Sequence, residues 1–287
     1  MFCCVTRHII TKPFSAFFRA ISTPLLVAIS CAFFTCSSLA KSGDYCIDDW
    51  ACVEKVEKNK QVSYWLYNKK PFVVTVTLEV DTSNLKTPVK NQDQYIVSQV
   101  LRGYQRIKVL ELQPISILNE IWYDESFYWA PGNMQAIHQT DVVYQYPYAK
   151  NAYFPIVQGF GGAYSHSGAS KYAVDFAMPV NTPIYAARAG VVIDLVEQHT
   201  CGGASREYAQ YANYIVVLHS DDTTGEYYHL KKKGVVVTRG EHVKAGQKIG
   251  YSGNTGFSSL PHLHFAVYRA KPFGKYQSIP FIFESKR

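Results

Sequence analysis

Alternating apolar and polar residues mark several segments in the first half of the chain as half-buried β-strands. The clearest lies at 72–80, where Phe72, Val74 and Val76 share one face and Thr75 and Thr77 lie on the other. The predicted strands are 62–67, 72–80, 105–113, 120–129 and 141–146. The charged run 55–60 predicts a solvated connector or short helix, and 81–91 predicts a polar connection. Strands of this length and spacing predict a small antiparallel β-sandwich.

After the Tyr/Pro-rich stretch 146–155, the pattern changes to shorter strands separated by tight turns. The predicted strands are 174–177, 183–187, 190–196, 214–219, 226–230, 242–243, 248–252 and 264–269. No amphipathic helix of three turns is predicted after residue 150, and 200–212 is predicted to be a long loop. The pattern therefore predicts an all-β protein in which a sandwich-like domain, 41–146, precedes a second β-sheet-rich domain, 147–287.

Residues 1–40 have the pattern of a secretory signal peptide. They contain three basic and no acidic residues, an apolar core at 25–34, and Ser38 and Ala40 as small residues of a cleavage signal. The alternative is a membrane anchor, but the core is about half of the ~20 residues that a spanning helix needs. We therefore expect cleavage after Ala40 and export to the periplasm or the medium.

Charge and cysteine content fit an exported β protein. Charged residues are scarce (18%) and aromatic residues abundant (15%), and the net charge of +7 falls to +4 when three basic residues leave with the signal. A mildly basic protein is compatible with an anionic partner such as a cell wall. Cys46 and Cys52 are close enough for a small disulfide loop, whereas Cys201 is either free or paired with one of them.

The candidate chemistry centres on a His-x-His pair within 253–268. In a strand, His262 and His264 lie on the same face, while Leu263 and Phe265 point into packing. Two imidazoles on one rigid face are half of a metal site. Seven of the nine histidines follow residue 150, so further ligands are expected in the second domain.

His166, in a Gly-rich turn, and Asp175, inside an apolar strand, are the groups that can join His264. A carboxylate in such a strand is rarely buried without a cation, and two imidazoles plus one carboxylate form a known catalytic zinc set with an open position. His229 and His262 then remain as unligated imidazoles for proton transfer and oxyanion stabilisation. The hydroxyl of Tyr164 or Tyr227 is a further candidate donor.

These motifs resemble those of the lysostaphin-type, LytM-like zinc metallopeptidases over roughly 147–270. The matching features are His166, Asp175 before Asn-Thr-Pro at 181–183, Tyr-Tyr-His-Leu at 227–230, the Val-x-x-Gly-Gln-x-Ile-Gly step at 243–250, and the closing segment 253–265. The resemblance implies His166, Asp175 and His264 as zinc ligands and His229 and His262 as the catalytic pair. One departure is that eight residues, rather than three, separate His166 from Asp175.

The sequence thus predicts an exported zinc metalloendopeptidase whose substrate, by resemblance, is peptidoglycan stem peptides or cross-links. The main alternative is a non-catalytic wall-binding or hydrolase-activating protein of the same fold. A carrier domain of the biotinyl kind would need a modifiable Lys at a hairpin tip, which is absent. His219 could compete as a ligand, but we expect it to pack beside the site or orient a ligand. We expect no nucleic-acid partner. After cleavage of the signal peptide, we expect that the chain is not an integral membrane protein.

Overall fold

The computed structural model describes residues 41–89 and 92–285. The predicted signal peptide at 1–40 and its cleavage site lie outside this range. In the described part of the chain, no helix has the length and apolar character that crossing a membrane requires.

The described residues form 23 strands and two short 3-10 helices. Up to the predicted domain boundary, the strands are β1 Lys41–Ile47, β2 Ala51–Lys58, β3 Gln61–Asn68, β4 Val74–Ser83, β5 Leu85–Lys86, β6 Gln94–Leu101, β7 Arg106–Pro114, β8 Trp122–Pro131 and β9 Val143–Tyr144. Beyond it, they are β10 Ile156–Gln158, β11 Ala173–Ala177, β12 Pro183–Tyr185, β13 Gly190–Val196, β14 Gly202–Gly203, β15 Tyr214–Leu218, β16 Thr224–Tyr228, β17 Leu230–Val235, β18 His242–Val243, β19 Lys248–Ser252, β20 Gly256–Phe257, β21 His262–Lys271, β22 Lys275–Ile279 and β23 Ile282–Phe283. The 3-10 helices are Gly168–Ser170 and Arg206–Tyr211. The predicted all-β class is confirmed.

Strands β1–β8 form two antiparallel sheets, which we call the N-terminal sheets. Their orders are β1-β2-β3-β7-β5 and β6-β4-β8. Alternate residues of β3, such as Tyr64 and Leu66, pack in one core with Val76 and Leu78 of β4. All four side chains are fully buried, which is the outcome that the period-two pattern of these segments predicts.

The prediction for 55–60 was wrong. Lys55–Lys58 belong to β2, and only Asn59 and Lys60 form the turn into β3. Both turn residues have positive φ (53° and 62°), as in a two-residue type I′ hairpin. The charged side chains of β2 find partners on β8: Lys55 pairs with Glu125 at 2.6 Å, so a charged sequence can form an inner strand. The predicted connection at 81–91 was also partly wrong, because β4 continues to Ser83 and β5 follows.

A larger sheet, which we call the site sheet, carries the predicted chemistry. Its order is β10-β11-β21-β16-β15-β13-β18, and β22 also pairs with β21. The long strand β21 lies between β11 and β16 and presents Leu263, Phe265 and Val267 to a second core on one face. Its other face therefore carries His262 and His264, as predicted.

The two cores share elements across the predicted boundary. Tyr144 of β9 is fully buried in the second core, while Ile193 and Val216 of the site sheet pack in the first. The assignment of 41–146 and 147–287 to separate domains stays a prediction. The Cys46–Cys52 disulfide is formed, as expected, across the β1–β2 hairpin, so Cys201 pairs with neither cysteine.

Candidate active site

Asp175 and His264 lie directly opposite each other on adjacent antiparallel strands. The register of β11 and β21 pairs them, so both side chains project from the same face of the site sheet. His264 Nδ1 lies 2.8 Å from Asp175 Oδ1. Both side chains are mostly buried, at 12% and 8% exposure. Strand pairing alone therefore brings together two of the three predicted metal ligands.

His166 reaches the same carboxylate from the loop after β10. Its Nδ1 lies 2.8 Å from the carbonyl oxygen of Gly159, so Nδ1 carries the proton and Nε2 keeps its lone pair. This Nε2 points to Asp175 Oδ1 at 3.1 Å but is buried without a hydrogen-bond partner. The residues inserted before Asp175 form the 3-10 turn Gly168–Ser170 and do not separate the two side chains.

The three side chains offer a donor set that could hold a metal ion. One atom each from His166, Asp175 and His264 lies within 4.8 Å of the others. A buried imidazole nitrogen with an unused lone pair, beside a buried carboxylate, is the arrangement a cation would satisfy. Burial alone would raise the pKa of Asp175, but the neighbouring imidazoles outweigh it and hold this pKa far below its ordinary value. The carboxylate is therefore ionised and available as a ligand.

Gln158 is a site residue that the sequence reasoning missed. Its Nε2 donates to Asp175 Oδ2 at 3.0 Å and to Ser165 Oγ at 2.7 Å. Its Oε1 accepts from the backbone N–H of Tyr164 at 3.0 Å. Gln158 thereby orients the carboxylate and fixes the loop that carries His166. No pattern around 158 signals this role, because it depends on the pairing of β10 with β11.

His229 and His262 adjoin the donor set, with ring centroids 4.5 Å apart. His229 Nδ1 lies 2.7 Å from the carbonyl oxygen of Thr255, and His262 Nδ1 lies 2.7 Å from that of Leu260. Each neutral ring therefore donates from Nδ1 and keeps a lone pair at Nε2. His262 Nε2 lies 3.8 Å from Asp175 Oδ1.

Burial favours the neutral form of both rings. It lowers the pKa of His229 to about 3, helped by the charges of His262 and His264. It also lowers the pKa of His262, although Asp175 opposes this change. His229 has φ of 67°, a left-handed conformation that non-glycine residues rarely adopt. Such strain is found where a side chain must be aimed at a site.

A cavity of about 430 Å³ opens over these groups. Its lining includes Asp175, His229, His262 and His264. Tyr164 also lines it, whereas Tyr227 is buried in the second core, with its hydroxyl accepting from the backbone N–H of Ala187. The hypothesis that Tyr227 is a donor in the site was therefore wrong.

His219 does not join the donor set. It is buried beside Tyr144, and its Nδ1 lies 3.0 Å from the carbonyl oxygen of Ala189. Asn181, in the turn before β12, has φ of 75°, a left-handed conformation that Asn tolerates better than most residues. His242 also lies outside the donor set and is exposed to solvent.

An all-β scaffold thus gathers two histidines and one aspartate beside two further imidazoles, and this arrangement could hold a metal ion. The family follows from the sequence itself. Residues 169–276 match the Peptidase family M23, and this part of the chain belongs to that family. The predicted family resemblance is confirmed, although His166 lies just before the matched residues.

Known proteins are similar in sequence to different lengths of this chain. Peptidoglycan DD-endopeptidase ShyA of Vibrio cholerae is 30% identical over 212 residues, covering 69% of this chain and 45% of the relative. Lysostaphin of Staphylococcus simulans is 39% identical over 100 residues, covering 34% of this chain and 18% of the relative. The chain thus spans less than half the length of these relatives. The solved catalytic domain of lysostaphin is 30% identical, covers 44% of this chain and 88% of its own, and has a TM-score of 0.33.

Proposed function

We propose that the chain is an exported zinc metalloendopeptidase that hydrolyses peptide bonds of peptidoglycan stem peptides or cross-links. Family M23 membership and relatives named as peptidoglycan DD-endopeptidases support a peptide hydrolase acting on the wall. The predicted signal peptide supports export. The observation that carries the proposal is the convergence of His166, Asp175 and His264 next to a cavity that is also lined by the imidazoles of His229 and His262.

In this proposal, His166, Asp175 and His264 hold the zinc ion. When bound, zinc lowers the pKa of a water molecule toward about 7 and polarises the carbonyl of the scissile bond. Asp175 supplies the negative charge of the donor set, and Gln158 keeps its carboxylate in place. Two histidines and one carboxylate leave a coordination position open, as a catalytic site requires.

His262 is the proposed general base. Because its Nδ1–H donates to Leu260, the lone pair at Nε2 faces the site and can accept the proton of the attacking water. Asp175, 3.8 Å from Nε2, stabilises the imidazolium that results. The proton can then pass from Nε2 to the leaving amine.

His229 is proposed to stabilise the oxyanion. Its hydrogen bond to Thr255 decides which ring nitrogen can do so and in which protonation state. Nδ1–H is committed to Thr255 and burial keeps the resting ring neutral, so Nε2 can donate to the oxyanion only after it takes up a proton during the reaction. The short separation of the two rings allows His262 and His229 to serve the same substrate.

The test uses the purified full chain and defined peptidoglycan. We expect soluble peptides of new mass, loss of the activity with a chelator, and recovery with zinc. His264→Ala should lower hydrolysis by about a thousandfold or more, because it removes a ligand. His242→Ala, which removes an exposed imidazole outside the cavity, should leave hydrolysis unchanged.

Retained hydrolysis in His264→Ala would overturn the ligand assignment. If the wild type binds zinc and peptidoglycan but releases no peptide, the non-catalytic alternative is the better account.

A further inference from the structure

Arg206 stands at the rim of the active-site cavity and has no role in the proposed chemistry. It begins the 3-10 helix Arg206–Tyr211 and lines the same cavity as His229, His262 and His264. It is the one Lys or Arg among the described residues that line this cavity. The cavity therefore has a single fixed positive charge on its protein wall.

One aromatic ring lies against the guanidinium group, and a second ring stacks on the first. The Cζ atom of Arg206 lies 5.5 Å from the ring centroid of Phe257, and this ring stacks on Tyr164 with centroids 5.6 Å apart. The hydroxyl of Tyr164 also donates to the carbonyl oxygen of Ala204 at 3.4 Å, two residues before Arg206. Stacking holds the face of a guanidinium group and leaves its N–H edge available to a planar acceptor.

The loop carrying Arg206 is fixed to the turn that orients the catalytic pair. Gly202 and Gly203 of β14 pair with Gly256 and Phe257 of β20, and the N–H of Ser258 donates to the carbonyl of Gly203 at 3.0 Å. Thr255, the residue just before β20, accepts the hydrogen bond of His229 Nδ1 with its carbonyl oxygen. Arg206 is therefore held in a defined place relative to the site.

Of the six arginines in the described residues, four already pair with carboxylates, whereas Arg206 and Arg269 do not, and only Arg206 of these two lines the cavity. The four paired arginines and their partners are Arg102 with Asp222, Arg106 with Glu54, Arg188 with Asp221, and Arg239 with Asp194. No described Asp or Glu lies within 4.0 Å of the Arg206 guanidinium group. Its hydrogen-bonding edge is thus left for a group from outside the chain.

The geometry points to Arg206 as a specificity residue that binds a carboxylate of the peptide substrate. This inference rests on the proposed function and adds a substrate class to it: peptides that carry a free carboxylate near the scissile bond. Guanidinium and carboxylate match as a bidentate, charge-assisted pair. The carboxylate can come from the C-terminus of the peptide or from an acidic side chain.

The experiment compares four synthetic peptides that share one cleavable sequence. They carry both carboxylates, only the C-terminal one, only the side-chain one, or neither, with carboxamides as replacements. For the preferred peptide, Arg206→Gln should lower kcat/KM about tenfold while the fully amidated peptide is unaffected. Arg206→Lys should recover part of the loss, because lysine keeps the positive charge but lacks the two parallel N–H donors of the guanidinium group. Lys232→Gln, an exposed residue outside the cavity, removes the same charge and should change nothing.

Binding of the same peptides to the chelator-treated full chain separates the two proposals. Discrimination between carboxylate and amide that vanishes in Arg206→Gln supports the inference even if the wild type cleaves nothing, a result that would defeat only the proposed function. Equal binding and cleavage of acid and amide peptides by the wild type would overturn the inference and leave the hydrolase intact. The inference also fails if Arg206→Gln and wild type discriminate equally.

Discussion

The N-terminal sheets and the site sheet are built from the same kind of strand but treat ionisable side chains in opposite ways. In the N-terminal sheets, charged residues pair at partly exposed positions, as Lys55 does with Glu125 and Arg106 with Glu54. The described Asp, Glu and His residues that are buried as whole residues all follow residue 160. They are His166, Asp175, His219, Glu226, His229 and His262.

This contrast shows where the fold gives up stability for chemistry. An ionisable group buried away from water is costly unless a partner or a cation satisfies it. A sheet whose only task is packing has no need of such groups. Their concentration on the site sheet and in the loops beside it, several of them around one cavity, is therefore physical support for a site there.

The largest expected effect comes from a comparison that removes one buried polar group from each region. His229→Ala should lower peptide hydrolysis by about a hundred- to ten-thousandfold while leaving the bound zinc in place, because His229 is proposed to act on the substrate and not on the metal. Tyr64→Phe removes a fully buried hydroxyl of the N-terminal sheets and should leave hydrolysis unchanged. Turnover and zinc content of both variants test this contrast, and loss of zinc from His229→Ala would contradict it.

Matched core truncations should separate stability from function. Leu78 of the N-terminal sheets and Leu263 of the site sheet are both fully buried. Replacement of either by Ala should lower the free energy of unfolding by about 2–5 kcal/mol. Only Leu263→Ala should also reduce kcat/KM. Leu263 lies between His262 and His264 in the sequence, and the space left in the core by the smaller side chain allows both histidines to shift. Denaturant unfolding and kinetics measure the two quantities, and equal loss of activity in both variants would refute the distinction.

The smallest expected effect concerns Glu226, a buried carboxyl group that accepts hydrogen bonds from the hydroxyls of Thr224 and Tyr228. Burial raises its pKa from 4.5 to about 7. Between these values the folded chain keeps a proton that the unfolded chain has lost, so this group makes stability fall as pH rises.

Relative to wild type, Glu226→Gln should therefore gain stability from pH 4.5 to 7. The gain should be about 1 kcal/mol per pH unit and level off above pH 7. Urea unfolding of both proteins across this range measures the difference. A difference that does not vary with pH would show that Glu226 does not titrate as its burial implies.

Local patterns predicted much of the fold and the site. Alternation placed His262 and His264 on one face and Leu263 and Phe265 on the other, and bounds such as Gly190–Val196 and Lys248–Ser252 were found as expected. Features that depend on pairing between distant strands were missed. Lys55 of the charged strand β2 pairs with Glu125 of β8, and Gln158 reaches Asp175 only through the pairing of β10 with β11. Neither contact has a periodic signal in the sequence.

The central claim is that His166, Asp175 and His264 share one ion, and equilibrium dialysis of the full chain against zinc tests it most directly. We predict about one tightly bound zinc per wild-type and His242→Ala chain, and a loss of affinity of at least about a hundredfold in His166→Ala, Asp175→Ala and His264→Ala. Circular dichroism of each variant verifies that the sheets remain folded. Wild-type zinc affinity in folded variants of any of the three residues would contradict the account.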